Sequence, residues 1–145
     1  MSLFSKNFFL IAEAGINHNG NLREALNLVD AAKKCGANAI KFQTYITEKR
    51  TKKNSPIFKI LKKCELPFSD FEVIKKYCDK KKIIFFSTPF DKESVQFLNH
   101  LKVKLFKVAS FDISNFELLE EISKTKKPTI ISTGMASTQE ITKTY

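Results

Sequence analysis

The sequence predicts an α/β protein of the (β/α)8 TIM-barrel type in which only the first five βα units are present. Five stretches run apolar and then change to polar, reactive residues, with helix-like segments between them; the stretches are 8–20, 39–45, 83–91, 104–112 and 129–137. Buried parallel strands have this pattern when functional side chains follow their carboxyl ends. A (β/α) barrel builds its active site at those ends. The same pattern therefore predicts both the fold and the place of its chemistry.

Chain length decides how much of such a barrel is expected. The chain has 145 residues, 43% hydrophobic and 28% charged, which is typical of one folded domain. A complete barrel needs eight units and about 250 residues. We therefore expect residues 1–145 to be the N-terminal part of a barrel domain, with the rest of the barrel absent. An open flavodoxin-like sheet of five strands is the alternative; it fits the length better, but it usually carries its phosphate loop after the first strand.

The first unit is predicted as a strand over residues 8–13, a glycine-bounded loop and a helix. Asn21 is a preferred helix N-cap, and apolar residues then recur at helical spacing. Gly36 follows the last periodic residues and is a typical helix stop. His18 lies in the loop without neighbouring metal-ligand residues, so we expect it to make hydrogen bonds within the loop.

The second unit begins with a predicted strand over residues 39–43. The basic loop 44–56 that follows is long for a βα connection, and such loops are often functional or mobile. A short helix is predicted over residues 57–64.

The remaining helices are placed by capping residues. The predicted starts are Ser69 with Glu72 as a capping box, Asp91, Ser114 with Glu117 as a second capping box, and Thr138. The strands between these helices are predicted over residues 83–87, 104–109 and 129–132.

Charge and hydropathy exclude several classes of partner. The net charge of +10 comes largely from short lysine runs on predicted helices, where we expect solvated faces. A nucleic-acid surface would show a basic stripe with interleaved aromatic residues or a known module, and neither is present. The longest apolar run is too short to cross a bilayer, and residues 1–15 do not form a signal peptide. We therefore expect a cytoplasmic protein with no nucleic-acid or membrane partner.

Three charged residues interrupt predicted buried strands. Glu13 ends the first strand, where a carboxylate can accept hydroxyl hydrogens or exchange protons; capping its own loop is the alternative role. Lys41 and Lys107 are each flanked by large apolar residues, so each needs an anionic partner or an altered pKa. Because barrel strand ends converge, both ammonium groups could bind one phosphate or carboxylate; the alternative is that both lysines reach out to solvent.

Hydroxyl side chains follow three of the predicted strands. They are Thr88, Ser110, Ser132 and Thr133. Together with backbone N–H groups, such hydroxyls suit the binding of an oxyanion.

Five runs in order resemble the N-terminal barrel of the sialic acid synthases. The runs are IAEAGINHNG, DAAKKCGANAIKFQTY, FFSTPFD, FKVASFD and KPTIISTGMAS. The resemblance implies condensation of phosphoenolpyruvate with an N-acyl amino sugar of the N-acetylmannosamine type, which gives a nine-carbon sialic-acid-like sugar and phosphate. The run AEAGINHNG favours the neuraminate and legionaminate branch, whereas IKFQTY and KVASFD favour the pseudaminate branch.

The resemblance also implies roles for individual residues. Glu13, Lys41 and Lys107 are the implied catalytic residues, with Glu13 meeting the sugar. The implied substrate-binding residues are Lys41, Gln43, Thr88, Lys107, Ser110, Ser132 and, in the loop after the second strand, Asn54. A divalent cation, Mn²⁺ or Mg²⁺, is expected for the full-length enzyme, and its two histidine ligands are expected in the second half of the barrel, outside this chain.

The implied full-length protein is a homodimer with a small C-terminal antifreeze-like domain. Because that domain and the cation ligands are expected outside residues 1–145, we expect these residues alone to be catalytically inactive. Two other functions stay open. One is a Schiff-base aldolase with Lys41 or Lys107 as the nucleophile. The other is a basic module that binds anions or nucleic acid.

Overall fold

The computed structural model describes residues 8–144, which contain one parallel five-stranded sheet. Its strands are Ile11–Gly15 (β1), Ala39–Thr44 (β2), Ile84–Pro89 (β3), Phe106–Val108 (β4) and Thr129–Ile131 (β5). They are ordered β1-β2-β3-β4-β5, and every neighbouring pair is parallel. A flavodoxin-like sheet has the strand order 2-1-3-4-5, so that alternative is wrong. In a (β/α) barrel, neighbouring strands follow one another along the chain, as they do here. The predicted fold class is therefore confirmed.

Helices connect the strands in every unit. They are Leu22–Lys34 (α1), Thr47–Arg50 (α2), Phe58–Cys64 (α3), Phe68–Lys81 (α4), Lys92–His100 (α5), Phe116–Lys124 (α6) and Thr138–Thr144 (α7), with a 3-10 turn over Ser110–Asp112. The predicted loop 44–56 therefore contains a one-turn helix, α2. None of the helices between residues 8 and 144 combines the length and apolarity needed to cross a membrane.

Two of the predicted helix caps are confirmed. The side chain of Asn21 accepts a hydrogen bond from the backbone N–H of Glu24 at 3.2 Å, and Asp91 accepts one from Ser94 at 2.8 Å. Both bonds satisfy a backbone donor that has no partner within its helix.

The predicted caps at Ser69 and Ser114 are wrong. The helix α4 begins at Phe68 with Pro67 as its N-cap, because the extended Pro67 ends the preceding segment two residues before Ser69. The helix α6 has Asn115 as its N-cap, and the Asn115 side chain accepts from Leu118 at 3.3 Å. Serine and asparagine cap helices about equally well, so neighbouring candidates are distinguished only by the path of the chain.

Strand bounds also differ from the prediction. The strand β1 begins at Ile11 rather than at residue 8, because β2 starts at Ala39, directly opposite Ile11. Residues 8–10 precede the strand, although the Leu10 carbonyl oxygen accepts hydrogen bonds from the backbone N–H groups of Asn38 and Ala39 at 2.8 and 3.2 Å. The strand β4 is shorter than the predicted range 104–109. Residues 1–7, which belong to the segment considered for a signal peptide, lie outside the described residues.

The sheet has two apolar faces of different size. On the convex face, Phe42, Phe85 and Phe106 pack against α1, α4 and their neighbours and are at most 2% exposed. On the concave face, a small cluster of Ala39, Phe86 and Leu105 fills the N-terminal end. The carboxyl end of the concave face is left for polar side chains.

Candidate active site

Strand register aligns the predicted polar residues at one end of the concave face. Glu13 is opposite Lys41, and Gln43 is opposite Thr88. Successive side chains on a strand point to opposite faces, so Lys41 and Gln43 share the face of Ala39. The order of the strands therefore places β1, β2 and β3 side chains in adjacent rows.

Glu13 and Lys41 form an ion pair across β1 and β2. The Lys41 Nζ lies 2.6 Å from the Glu13 Oε2, and the side chains are 7% and 57% exposed, respectively. The buried ammonium group is thus neutralised by a carboxylate that still faces solvent. An anionic partner of this kind offsets the free-energy cost of burying a lysine ammonium group inside a strand. It also leaves the second oxygen of Glu13 accessible to a ligand.

Lys107 has no carboxylate oxygen within ion-pair distance among residues 8–144. Its Nζ donates to the Val108 carbonyl oxygen at 3.0 Å and to the hydroxyl oxygen of Ser132. Burial lowers the pKa of Lys107; the Glu13 carboxylate opposes this effect and the Lys41 ammonium group adds to it. The two lysines and Glu13 therefore belong to one electrostatic site, although three strands supply them.

The predicted hydroxyl residues differ in their exposure to solvent and in their position relative to the strand ends. Thr88 is 2% exposed at the carboxyl end of β3, and its strand pairs with β4 through Ser87 and Phe106, which sets Thr88 level with Lys107. Ser110 is half-buried at the start of the 3-10 turn after β4. Thr133 is exposed beyond β5.

Asn54 makes no hydrogen bond to the other predicted site residues within the part of the chain that the structure describes. It is exposed in the turn between α2 and α3. The position of Asn54 depends on how the segment between the one-turn helix α2 and the helix α3 is folded.

One site residue was missed by sequence reasoning. Arg50 ends α2, and its Nη1 donates to the Gln43 Oε1 at 3.1 Å. The available signal was its residue type, because Arg50 and Arg23 are the two arginines of a lysine-rich chain. Arginine is favoured over lysine where a planar group must stack or make several directed hydrogen bonds.

The loop after β1 is anchored by His18, as predicted. Its Nδ1 accepts the backbone N–H of Gly20 at 3.1 Å, the side chain is buried, and burial lowers the pKa of His18 to about 4. Gly20 has a φ of +73°, and a side chain there would overlap the carbonyl oxygen of Lys63 at the end of α3. The loop that follows Glu13 is therefore packed firmly against α3.

The ligands of the divalent cation are expected outside this chain. Across residues 8–144, no three His, Cys, Asp or Glu side chains form a cluster that could hold a metal ion. The site is thus defined by ammonium, carboxylate, amide and hydroxyl groups.

A sequential parallel sheet with helices between its strands, and with two lysines and several hydroxyls at its strand ends, is the arrangement of a partial (β/α) barrel. The NeuB family model matches residues 28–145, and the chain belongs to this family. It is 47% identical over 133 residues to an uncharacterized protein of Methanocaldococcus jannaschii, covering 92% of this chain and 40% of that protein. It is 40% identical over 147 residues to N,N'-diacetyllegionaminic acid synthase of Legionella pneumophila, covering 92% of this chain and 41% of that enzyme.

Structural comparison agrees with the sequence relatives. The crystal structure of the N-acetylneuraminic acid synthetase of Leptospira borgpetersenii superimposes with a TM-score of 0.94 at 38% identity, covering 99% of this chain and 53% of that chain. The predicted resemblance is therefore confirmed. The chain spans about 40% of the length of the two relatives named above.

Proposed function

We propose that this chain forms the phosphoenolpyruvate-binding part of a synthase that joins phosphoenolpyruvate to an N-acyl amino sugar. The observation that carries the proposal is the convergence of Lys41 and Lys107 at one end of the sheet, with hydroxyl groups beside them. Two ammonium groups suit a substrate with a phosphate and a carboxylate. The legionaminic acid synthase relative supports a sugar acid as the product class.

The proposed reaction forms one carbon–carbon bond and, at C2, replaces the carbon–oxygen bond to phosphate with a carbon–oxygen bond to water, which loses a proton. The enol C3 of phosphoenolpyruvate adds to the aldehyde carbon of the open-chain sugar, whose oxygen gains a proton. Water then attacks C2, and phosphate leaves with cleavage of its bond to C2. The products are the nine-carbon sugar acid and inorganic phosphate.

Each lysine has a different part in this proposal. Lys107, whose Nζ bonds only neutral oxygens, has its charge available for the phosphate or carboxylate. Lys41 holds Glu13 in place, so that the exposed oxygen of Glu13 can accept a hydrogen bond from a sugar hydroxyl. Ser132, Ser110 and Thr88 supply further hydrogen bonds to anionic oxygens.

Calorimetric titration with phosphoenolpyruvate tests the proposal. We expect Lys107→Met to weaken binding about tenfold or more, because a hydrogen bond to a charged group contributes about 1.5–3 kcal/mol. Lys104→Met is the matched control, since Lys104 is exposed beyond the opposite end of the same strand. Equal loss in both variants would show that overall charge, rather than this site, binds the anion.

The remaining properties of the whole enzyme are part of the same proposal. We expect residues 1–145 to bind phosphoenolpyruvate without turning it over, because the cation ligands and the antifreeze-like domain are expected elsewhere. A cytoplasmic homodimer is expected for the full-length protein. Release of phosphate from phosphoenolpyruvate and N-acetylmannosamine by the 145-residue chain alone would contradict the expected inactivity.

A Schiff-base aldolase is the second candidate function. The lowered pKa of Lys107, caused mainly by burial, favours the neutral amine that such a nucleophile needs. Borohydride reduction in the presence of pyruvate, followed by mass measurement, distinguishes the two functions. A covalent adduct lost in Lys107→Met would favour the aldolase, and its absence favours the synthase.

A further inference from the structure

Aromatic rings hold the guanidinium group of Arg50 in one place. Its central carbon lies 3.7 Å from the ring centroid of Phe90 and 4.6 Å from that of Tyr45. Phe90 in turn stacks on Phe111 with a centroid distance of 5.8 Å and an interplanar angle of 9°. Stacking on aromatic faces stabilises arginine and restricts its plane. Arg50 is therefore a fixed donor between the ends of β2 and β3.

The fixed donor determines which way the Gln43 amide points. Arginine has five N–H donors and no acceptor, so the amide atom facing Arg50 must be oxygen. The Nη1–Oε1 distance of 3.1 Å agrees with a hydrogen bond of that direction. The Gln43 Nε2 then faces the end of β1, where it lies 3.8 Å from the position that a Cβ of Gly15 would occupy.

Among residues 8–144, no acidic side chain competes with Gln43 for the guanidinium group of Arg50. Within residues 8–144, no carboxylate oxygen lies within 4.0 Å of its guanidinium group, and the hydrogen bond to Gln43 is its one side-chain bond to an acceptor. Burial lowers the pKa of Arg50, while Tyr45 and Asp112 oppose this effect. The group remains protonated, because an arginine pKa begins above about 12.

We infer that Arg50 is a positioning residue that turns the Gln43 amide so that its N–H donors face the end of β1 at Gly15. The site then has a donor, the Gln43 amide, and an acceptor, the exposed Glu13 carboxylate two residues earlier in β1, at the same end of the sheet. That pair matches a ligand edge with a carbonyl or ether oxygen next to a hydroxyl, as in an N-acyl amino sugar. The ligand class rests on the proposed function, whereas the orientation of the amide does not.

Side-chain amide NMR tests the orientation directly. Selective ¹⁵N labelling of glutamine gives signals from Gln43, Gln96 and Gln139, and Gln43→Glu assigns the first. We expect the Gln43 amide protons to differ in shift from the other two, and Arg50→Met to move them to the values of Gln96 and Gln139. Lys49→Met removes one charge from the same helix, where exposed Lys49 pairs with Glu93, and should leave the Gln43 signals unchanged. Unchanged Gln43 signals in Arg50→Met would overturn the inference.

Ligand titrations separate the inference from the proposed function. We expect Arg50→Met to weaken N-acetylmannosamine binding about fivefold, which is within the usual effect of one hydrogen bond, and to leave phosphoenolpyruvate affinity within about twofold. Equal sugar affinity in Arg50→Met and Lys49→Met would overturn the positioning role. If neither ligand binds the unmodified chain, the proposed function fails, and the amide signals alone decide the orientation.

Discussion

Lys41 and Phe42 are neighbours in β2, yet they belong to opposite faces of the sheet with opposite properties. Phe42 is fully buried among helices on the convex face, and His18 and Phe85 contact its ring at centroid distances of 6.0 and 5.9 Å. Lys41 lies on the concave face and pairs with a carboxylate that faces solvent. The same contrast recurs in β4, where Phe106 is buried among apolar residues and Lys107 bonds polar groups.

One short strand thus supplies residues for both stability and chemistry. Alternation of side chains assigns every second residue to the packing of the helices and the others to the barrel interior. Substitutions one residue apart should therefore affect different quantities. Changes on the convex face should lower the free energy of unfolding, and changes at the concave carboxyl end should act mainly on ligand binding.

The largest expected effect is that of Phe42→Ala. Removing a fully buried phenylalanine should lower the free energy of unfolding by about 3–5 kcal/mol. Urea denaturation followed by circular dichroism measures this loss. Phe116→Ala is the matched control, because Phe116 is 54% exposed and should cost less than about 1 kcal/mol. Similar losses in both variants would contradict the packing role of the convex face.

A smaller effect is expected from Glu13→Gln. The substitution leaves the buried Lys41 without its anionic partner, and we expect a loss of about 1–2 kcal/mol, below the full cost for a buried pair because Glu13 is 57% exposed. Glu93→Gln removes the carboxylate of an exposed pair, with Lys49, and should cost under about 1 kcal/mol.

The double variant Glu13→Gln with Lys41→Met tests whether the loss of stability comes from the unpaired charge of Lys41. If the loss comes from an unpaired buried charge, removing that charge should recover part of the stability in the same denaturation experiment. A double variant less stable than Glu13→Gln would instead indicate that packing of the aliphatic part of Lys41, rather than its charge, determines the loss of stability.

The smallest effect concerns the pH dependence of stability at Lys107. Burial lowers its pKa in the folded chain, so above that value the unfolded chain binds more protons at this site. Its contribution to stability therefore rises with pH between the lowered pKa and the ordinary value of about 10.4. The free energy of unfolding of the original chain minus that of Lys107→Met should therefore increase from pH 7 to pH 10. A value that stays constant or falls over this range would contradict the lowered pKa.

Much of the fold could be predicted because its signals are local. Asn21 and Asp91 cap their helices through bonds that span three residues, and such bonds depend only on short sequence spacing. The wrong caps, Ser69 and Ser114, each lie within two residues of the observed cap. At these two helix ends, the path of the preceding chain determined which of several suitable residues became the N-cap.

The candidate site could be predicted where strands deliver the residues. Glu13, Lys41 and Lys107 interrupt apolar runs, and the register of parallel strands brings them together. Arg50 could not be found in this way. Its contacts with Gln43 and Phe90 require α2 to fold back over the strand ends, and no periodic pattern in the loop 44–56 indicates that turn.

Side-chain type and spacing are enough to predict the alternation of strands and helices, the polar residues at the strand ends and the resemblance to a synthase family. The partners of the buried charges depend instead on how distant segments fold together. Lys41 is paired with a carboxylate from β1, whereas Lys107 bonds the hydroxyl of Ser132, the residue that follows β5. Such partners are separated by 28 and 25 residues along the chain, and only the parallel register and the curvature of the sheet set the distance between them.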